Sequence, residues 1–92
     1  MGELNFNETS GRYEQDFDGH KVYADVRRDG KTAYINHVEA APELRGSGAA
    51  GKFMVSLMDA FKAEGLKAYP ICGYAAGWLQ RHSEYSDMVV KP

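Results

Sequence analysis

The sequence predicts one α/β domain, in which a mixed and mostly antiparallel sheet packs against one long helix and a shorter helix lies near the carboxyl end. Three features carry this prediction. The first half of the chain alternates apolar and polar residues, the middle repeats apolar residues at helical spacing, and a short apolar segment follows directly. A strand, a helix and another strand in that order form a β-α-β crossover. Because 92 residues suffice for one modest core, we expect residues 1–92 to form a single domain.

Period-two alternation predicts three strands in the first half. The alternating positions are Tyr13, Gln15 and Phe17, then His20, Val22, Ala24 and Val26, and finally Ala33, Ile35 and His37. The dipeptides Asp18-Gly19 and Asp29-Gly30 separate these strands, and both accept positive φ at the two central positions of a tight hairpin turn. The strands are therefore expected to form an antiparallel meander.

The long helix is predicted by apolar residues at i, i+3, i+4, i+7, i+8 and i+11, which are Ala50, Phe53, Met54, Leu57, Met58 and Phe61. We expect it to run from about Ser47 to Glu64. Gly65 would follow as a left-handed cap, and Lys62 in the last turn complements the negative end of the helix dipole.

Shorter segments complete the expected fold. Residues 66–71 are mostly apolar and follow the helix, which predicts a strand parallel to the one that ends near Glu39. Residues 3–7 would add an edge strand, and residues 88–90 a strand or tail. A second helix is predicted by helical spacing of Ala75, Trp78, Leu79 and His82.

Composition makes several classes of protein improbable. The formal charge of −2 gives no net attraction to nucleic acid or anionic lipid, so we expect neither as a partner. No apolar stretch approaches the roughly 20 residues of a membrane span. A lone cysteine cannot form an internal disulfide, which favours the cytoplasm. The histidines are far apart in sequence, and Cys72 has no neighbouring ligand, so no metal site is expected.

The main candidate for a binding site is the turn before the long helix, Arg45-Gly46-Ser47-Gly48-Ala49-Ala50. Free N–H groups and the positive end of a helix dipole bind anions. The glycines would let a diphosphate approach the backbone closely, the two alanines keep the first helical turn narrow, and Arg45 could add a charged donor. The same pattern also fits a glycine-rich loop with only a structural role.

Four short motifs follow one another along the chain: a strand end from His37 to Pro42, Leu-Arg-Gly-x-Gly from Leu44 to Gly48, Pro-x-Cys from Pro70 to Cys72, and His-x-Glu-Tyr from His82 to Tyr85. In this order they resemble a group of small predicted acetyltransferases within the GNAT superfamily. Arg45, Gly48 and Ala50 also match the superfamily signature of Arg or Gln, two free positions, Gly, one free position, and Gly or Ala. The resemblance covers about residues 4–90 and implies a minimal GNAT fold.

The resemblance implies acetyl-CoA as cosubstrate, with its pyrophosphate held by the turn from Arg45 to Ala50. In this superfamily the strand before the signature splays from the strand after its helix, and the pantetheine arm lies in the gap. Backbone contacts with Val38 and Ala40 are therefore implied. Cys72 would lie close to the thioester and either protonate the departing thiolate or carry the acetyl group itself. The alternative for Cys72 is a small buried residue without a chemical role.

Larger members of the superfamily often use a tyrosine acid, and the corresponding residue here is Leu79. Tyr74 is the nearest substitute. Glu39 and His37 are candidate bases, because the acceptor amine must lose a proton before it attacks. Both could equally be structural residues of a strand.

We expect an N-acetyltransferase that uses acetyl-CoA and acetylates an amine by direct transfer, with an acetyl-Cys72 relay as the alternative. Segments that build the acceptor pocket in larger relatives have no counterpart here, which implies a shallow site suited to an amine on a protein or another large partner. A module that binds acetyl-CoA or CoA without catalysis, and a purely structural interaction domain, are further alternatives. His82, beside Arg81, could contact the coenzyme phosphates or only end a helix. We expect a monomer or a weak dimer.

Overall fold

The computed structural model describes residues 2–90 and confirms the predicted fold class. The strands are β1 (Asn5–Asn7), β2 (Arg12–Phe17), β3 (His20–Asp29), β4 (Thr32–Ala40) and β5 (Lys67–Pro70), and the helices are α1 (Ala49–Ala63) and α2 (Gly73–Arg81). Two 3-10 helices span Pro42–Leu44 and Ser83–Met88. The strands lie side by side in chain order, antiparallel from β1 to β4, with β5 parallel to β4. The meander, the edge strand and the parallel return strand are thus confirmed.

The two hairpins use different turns. Asp18 has φ 51° and Gly19 has φ 81°, so both central residues of the first turn are left-handed, as predicted. In the second hairpin Asp29 pairs with Thr32, so the central residues are Gly30 and Lys31. The prediction that Asp29 is a central residue is wrong by one position. A single glycine with φ 60° at the first central position suffices for a type II′ turn.

A bulge interrupts β4. Val26 of β3 lies opposite Ile35, whereas the preceding residue, Asp25, lies opposite His37. Asn36 is therefore an extra residue in β4. Such an insertion reverses the side to which every later residue of the strand points.

The bulge changes the environment of the candidate base. Ile35, before the bulge, is fully buried, and Val38 beyond it packs partly into the same core. His37 lies on the outer face instead, with 51% of its side chain exposed. The prediction that His37 continues the face of Ile35 is wrong, because the extra residue shifts the alternation by one.

The core lies between one face of the sheet and the two helices. The buried residues of α1 are Ala49, Phe53, Met54, Leu57, Met58 and Phe61. Ala50, which the spacing assigned to this stripe, is only half-buried. The helix begins two residues later than predicted because Gly48 is left-handed, with φ 79°. At the other end, Gly65 has φ 71° and ends the helix as predicted.

The carboxyl-terminal part covers the outer edge of β5. Residues 88–90 form no separate strand. Val89 instead makes an isolated parallel bridge with Ala68, and the N–H of Val90 donates to the Ala68 carbonyl at 2.8 Å.

A buried tyrosine links the meander to the end of α1. The Tyr13 hydroxyl accepts a hydrogen bond from Arg28 and donates to Glu64 Oε2 at 3.3 Å, while Arg28 and Glu64 form an ion pair at 2.8 Å. Burial raises the pKa of Tyr13 because it disfavours the phenolate, although Arg28 opposes the shift.

We expect the free energy of unfolding to fall as the pH rises above about 10, because the unfolded chain then releases the tyrosine proton before the folded chain does. Burial also raises the pKa values of Tyr74 and Tyr85, which act in the same direction. Tyr13→Phe should therefore make the decline with pH less steep, at a loss of about 1 kcal/mol near neutral pH. Urea unfolding over a pH series measures both effects. Equal slopes for the variant and the wild type would contradict the prediction.

Candidate functional site

β4 and β5 pair at one end and separate at the other. Their parallel ladder extends only from Thr32 opposite Lys67 to Ile35 opposite Pro70. At its end the Ile35 carbonyl accepts the N–H groups of both Ile71 and Cys72, each at 3.0 Å. Beyond this point β4 continues to Ala40, whereas the segment that follows β5 turns into α2. A wedge-shaped gap, hereafter the β4–β5 gap, opens between them with its apex at Ile35.

The far part of β4 directs backbone groups into this gap. The N–H of Ala41 donates to the carbonyl of Lys21 in β3 at 2.9 Å. Successive residues of a strand direct their backbone groups to opposite sides. Val38 and Ala40 therefore direct their N–H and C=O groups away from β3, and β5 does not pair with them. The structure thus presents backbone groups at the two residues that the resemblance had implied.

The glycine turn lies between the end of β4 and α1. Gly46 and Gly48 have φ 78° and 79°, which side-chain-bearing residues rarely adopt. A Cβ atom on either glycine would meet no other atom within 4 Å. The glycines are therefore required by the backbone conformation, and the space beside them is open to a ligand.

Ser47 orders the turn just before Gly48, which is the N-cap residue of α1. Its hydroxyl donates to the Leu44 carbonyl at 2.6 Å and accepts the N–H of Ala49 at 3.2 Å. The Ser47 hydroxyl and the Ala49 N–H are thus both hydrogen-bonded within the protein. Ser47 and Ala49, which were candidate contacts for a coenzyme, shape the turn through these bonds.

The N–H groups that remain without a helical partner at the start of α1 belong to Ala50 and Gly51. The first hydrogen bond at the start of α1 joins the N–H of Lys52 to the Gly48 carbonyl at 3.1 Å, so the N–H groups of Ala50 and Gly51 precede the bonded part of the helix. Arg45 is exposed and makes no ion pair within residues 2–90. Gly51 was not a predicted site residue, because the helix was predicted to begin at Ser47, which places its free N–H groups two residues too early. Two N–H groups, a helix dipole and a guanidinium together suit the binding of an anion.

Cys72 lies at the apex of the β4–β5 gap. It is half-buried, packs partly against the core and directly precedes α2. Its own N–H is bonded to Ile35, but the N–H groups of the first α2 residues precede the first helical bond, from Ala76 to the Cys72 carbonyl at 3.0 Å. Tyr74 is 40% exposed, and burial raises the pKa of its phenol, while Arg81 opposes the shift and Cys72 adds to it. The phenol therefore stays protonated at neutral pH and can donate a proton.

The two candidate bases form one pair on the outer face of the sheet. His37 Nε2 lies 3.0 Å from Glu39 Oε1, and both side chains are more than half exposed. Backbone bonding places Cys72 beside Ile35, two residues before His37. The pair is therefore close in the sheet to the apex, but it faces solvent rather than the core.

Residues 78–85 have structural contacts. The His82 ring stacks on Trp78 with centroids 3.7 Å apart, and its Nδ1 lies 2.7 Å from the Trp78 carbonyl. Tyr85 packs on the same indole and donates to Asp59 at 3.4 Å. Of the two alternatives for His82, the structure favours the end of the helix. Leu79 is 5% exposed and its side chain is apolar, so it cannot supply a proton.

Two classes of feature are missing from residues 2–90. No group of three or more His, Cys, Asp and Glu residues is placed to hold a metal ion. Within the same residues, no helix is long and apolar enough to cross a membrane.

A sequence profile of the GCN5-related N-acetyl-transferase family matches residues 12–88. The chain belongs to this family, as the four motifs predicted. Among solved structures it is similar to the NMR solution structure of a "GCN5-like putative N-acetyltransferase" from Staphylococcus aureus, with a TM-score of 0.72, 20% identity, and coverage of 98% of this chain and 89% of that chain. At that identity the likeness shows the fold alone. None of the curated proteins matches this chain.

Proposed function

We propose that this protein is an N-acetyltransferase that binds acetyl-CoA in the β4–β5 gap and transfers the acetyl group to an amine on a protein. The observation that carries the proposal is the divergence of β4 and β5, which leaves the backbone groups of Val38 and Ala40 unpaired by β5. The gap opens towards the carboxyl end of β4, and the glycine turn follows β4 along the chain. The family assignment supports the same conclusion.

Different groups of the protein would bind the different parts of the coenzyme. Val38 and Ala40 would pair with the amide groups of the pantetheine arm as a strand would. The N–H groups of Ala50 and Gly51 would bind the pyrophosphate, with Arg45 as a charged donor. When bound, acetyl-CoA supplies an acetyl group activated as a thioester. The open space beside Gly48 would let the diphosphate approach the backbone.

Chemistry would take place at the apex of the gap. The N–H groups at the start of α2 would donate to the carbonyl oxygen as it gains negative charge. Cys72 would give its thiol proton to the departing sulfur while a carbon–nitrogen bond forms and the carbon–sulfur bond breaks. Tyr74 is the alternative proton donor. In the relay alternative, the Cys72 sulfur would first take the acetyl group as the thioester carbon–sulfur bond breaks and CoA leaves with the thiol proton, and the amine would then displace Cys72, whose sulfur regains a proton.

His37 would accept the proton that the amine loses, and Glu39 would orient the imidazole through their hydrogen bond. We expect His37→Ala to lower kcat/KM roughly 100-fold near pH 7. The loss should shrink at high pH, where more of the acceptor amine is already neutral. Steady-state rates across a pH series measure this effect.

The chain offers a matched control for that variant. His20 and Glu43 form a second, longer pair at 3.8 Å, and His20 lies at the start of β3, which does not neighbour β5 in the sheet. His20→Ala should leave kcat/KM and its pH profile unchanged. If His37→Ala and His20→Ala have equal effects, His37 is not the base.

A second function is favoured by one observation. The position of the superfamily's tyrosine acid holds Leu79, which lies in the core with no polar group. A module that binds acetyl-CoA as a sensor needs no proton donor at that position. Binding without any transfer would favour this function.

The test combines binding with turnover. Acetyl-CoA and CoA are titrated into the protein by calorimetry, and release of free CoA thiol is then followed with lysine peptides and with amino-terminal peptides. Saturable binding together with acceptor-dependent thiol release supports the acetyltransferase. Failure to bind acetyl-CoA would exclude both the enzyme and the sensor.

A further inference from the structure

The surface on either side of Cys72 is apolar and exposed. Within residues 2–90, three large hydrophobic side chains are exposed, and two of them, Ile71 and Tyr74, flank Cys72 at 56% and 40% exposure. The third, Val55, lies on α1. Clustered apolar exposure of this kind commonly marks a surface that binds a partner. The coenzyme contacts proposed above leave Ile71 unused.

Pro70, which directly precedes Ile71, lines a groove between β5, α2 and the second 3-10 helix. The groove has a volume of about 640 Å³, and Pro70, Leu79 and Val89 contribute to its apolar part. Sites for small ligands typically measure roughly 300–1,000 Å³. The groove is therefore large enough for a few side chains of a bound peptide.

One end of the groove lies beside Cys72. Pro70, which lines it, is two residues before Cys72. Ala76, which also lines it, donates its N–H to the Cys72 carbonyl and so lies one helical turn away, roughly 5.4 Å along α2. A chain bound in the groove would thus lead directly to the proposed reaction site.

Among residues 2–90, the side chains that line the groove include none that is charged. Its polar side chains are all neutral, and none of them makes a hydrogen bond within residues 2–90: Tyr69, Gln80, Ser83 and Ser86. Neutral donors and acceptors along an apolar groove suit the amide groups of a peptide backbone. A charged side chain would lose its hydration there without gaining a partner.

We infer that the groove binds an extended peptide segment whose side chains are uncharged and mainly apolar, and that this segment lies next to the amine that is acetylated. The inference rests on the proposed function and specifies its acceptor. Specificity would come from the apolar lining and from rejection of charged residues. The backbone of the bound segment would pair with the hydroxyl and amide groups of the groove.

The test measures peptide binding separately from transfer. Three short peptides carry one acetylated lysine followed by leucine and phenylalanine, by two glutamates, or by two further lysines. Each is titrated into isotope-labelled protein and followed by NMR. We expect the apolar peptide to bind at least tenfold more tightly than both charged peptides and to shift the amide signals of Ala76, Gln80 and Ser86.

Introduction of a positive charge into the groove makes the test specific. Gln80→Lys should lower the affinity for the apolar peptide at least tenfold and raise the affinity for the glutamate peptide. Val55→Lys is the matched control, since it places the same charge on an exposed apolar position of α1, and it should change neither affinity. Equal affinities for all three peptides, or shifts outside the groove, would overturn the inference.

Titration of acetyl-CoA into the same samples separates the two proposals. Acetyl-CoA binding with no preference among the peptides overturns the groove as the acceptor site and leaves the proposed function intact. Selective binding of the apolar peptide without acetyl-CoA binding supports the groove as a peptide site and excludes acetyl transfer.

Discussion

Gly48→Glu is expected to lower the affinity for acetyl-CoA about 100-fold or more. The turn offers the pyrophosphate two backbone N–H groups, and a hydrogen bond to a charged group contributes roughly 1.5–3 kcal/mol. Loss of two such bonds amounts to about 3 kcal/mol, which corresponds to about 100-fold in affinity. A glutamate side chain at Gly48 would occupy the open space beside the turn and place a negative charge against the phosphates. Arg45→Ala combined with it should remove binding entirely.

The same helix supplies the control for this variant. Gly65 has φ 71°, and a Cβ atom there would also meet nothing within 4 Å. Gly65→Glu therefore introduces the same side chain and a comparable backbone strain at the opposite end of α1. Calorimetry should show wild-type affinity for Gly65→Glu and similar losses of thermal stability for both variants. If both lose acetyl-CoA binding equally, strain rather than the anion site explains the effect.

The fold was predictable where local patterns decide it. The helical stripe from Phe53 to Phe61 and the Asp18-Gly19 turn act through spacing and through tolerance of positive φ, and both are present as expected. The start of α1 was predicted at Ser47, two residues too early, because the apolar spacing does not mark the first helical turn, which the left-handed Gly48 sets.

The bulge at Asn36 was missed for a different reason. Ala33, Ile35 and His37 continue one alternating series, which hides the insertion. The signal that could have revealed it is the apolar pair Val38 and Ala40, which is out of phase with Ile35 and which the structure turns partly inward. A change of phase within one strand therefore predicts a bulge more directly than any single residue does.

The candidate site was only partly accessible from sequence. The glycine turn is local, so its residues could be named in advance. The β4–β5 gap depends on where two distant segments stop pairing, which no local pattern encodes. For that reason the roles of Ile35 as the apex acceptor and of the first α2 residues as free donors emerge only from the folded chain.

Cys72→Ala should reduce kcat roughly 100-fold to 10,000-fold if the thiol protonates the departing sulfur, since a positioned acid contributes a factor of that size. In an acetyl-Cys72 relay, the same variant should lose transfer altogether, because no other residue takes the acetyl group. Cys72→Ser preserves the size of the half-buried side chain, so it separates packing from chemistry. Both variants should keep wild-type affinity for acetyl-CoA, because the proposed coenzyme contacts are backbone groups of other residues and Arg45.

The two mechanisms differ in what happens without an acceptor. Incubation of the wild-type protein with acetyl-CoA alone, followed by acid quenching and mass spectrometry, should detect an acetyl group on Cys72 only in the relay. Direct transfer predicts unmodified protein together with a large loss of kcat in Cys72→Ala. If Cys72→Ala retains wild-type turnover, the thiol is a packing residue, and Tyr74, whose phenol stays protonated at neutral pH, becomes the proton donor to test by Tyr74→Phe. A loss in Tyr74→Phe, with Cys72→Ala unaffected, would then place the acid on the first turn of α2 rather than at the apex.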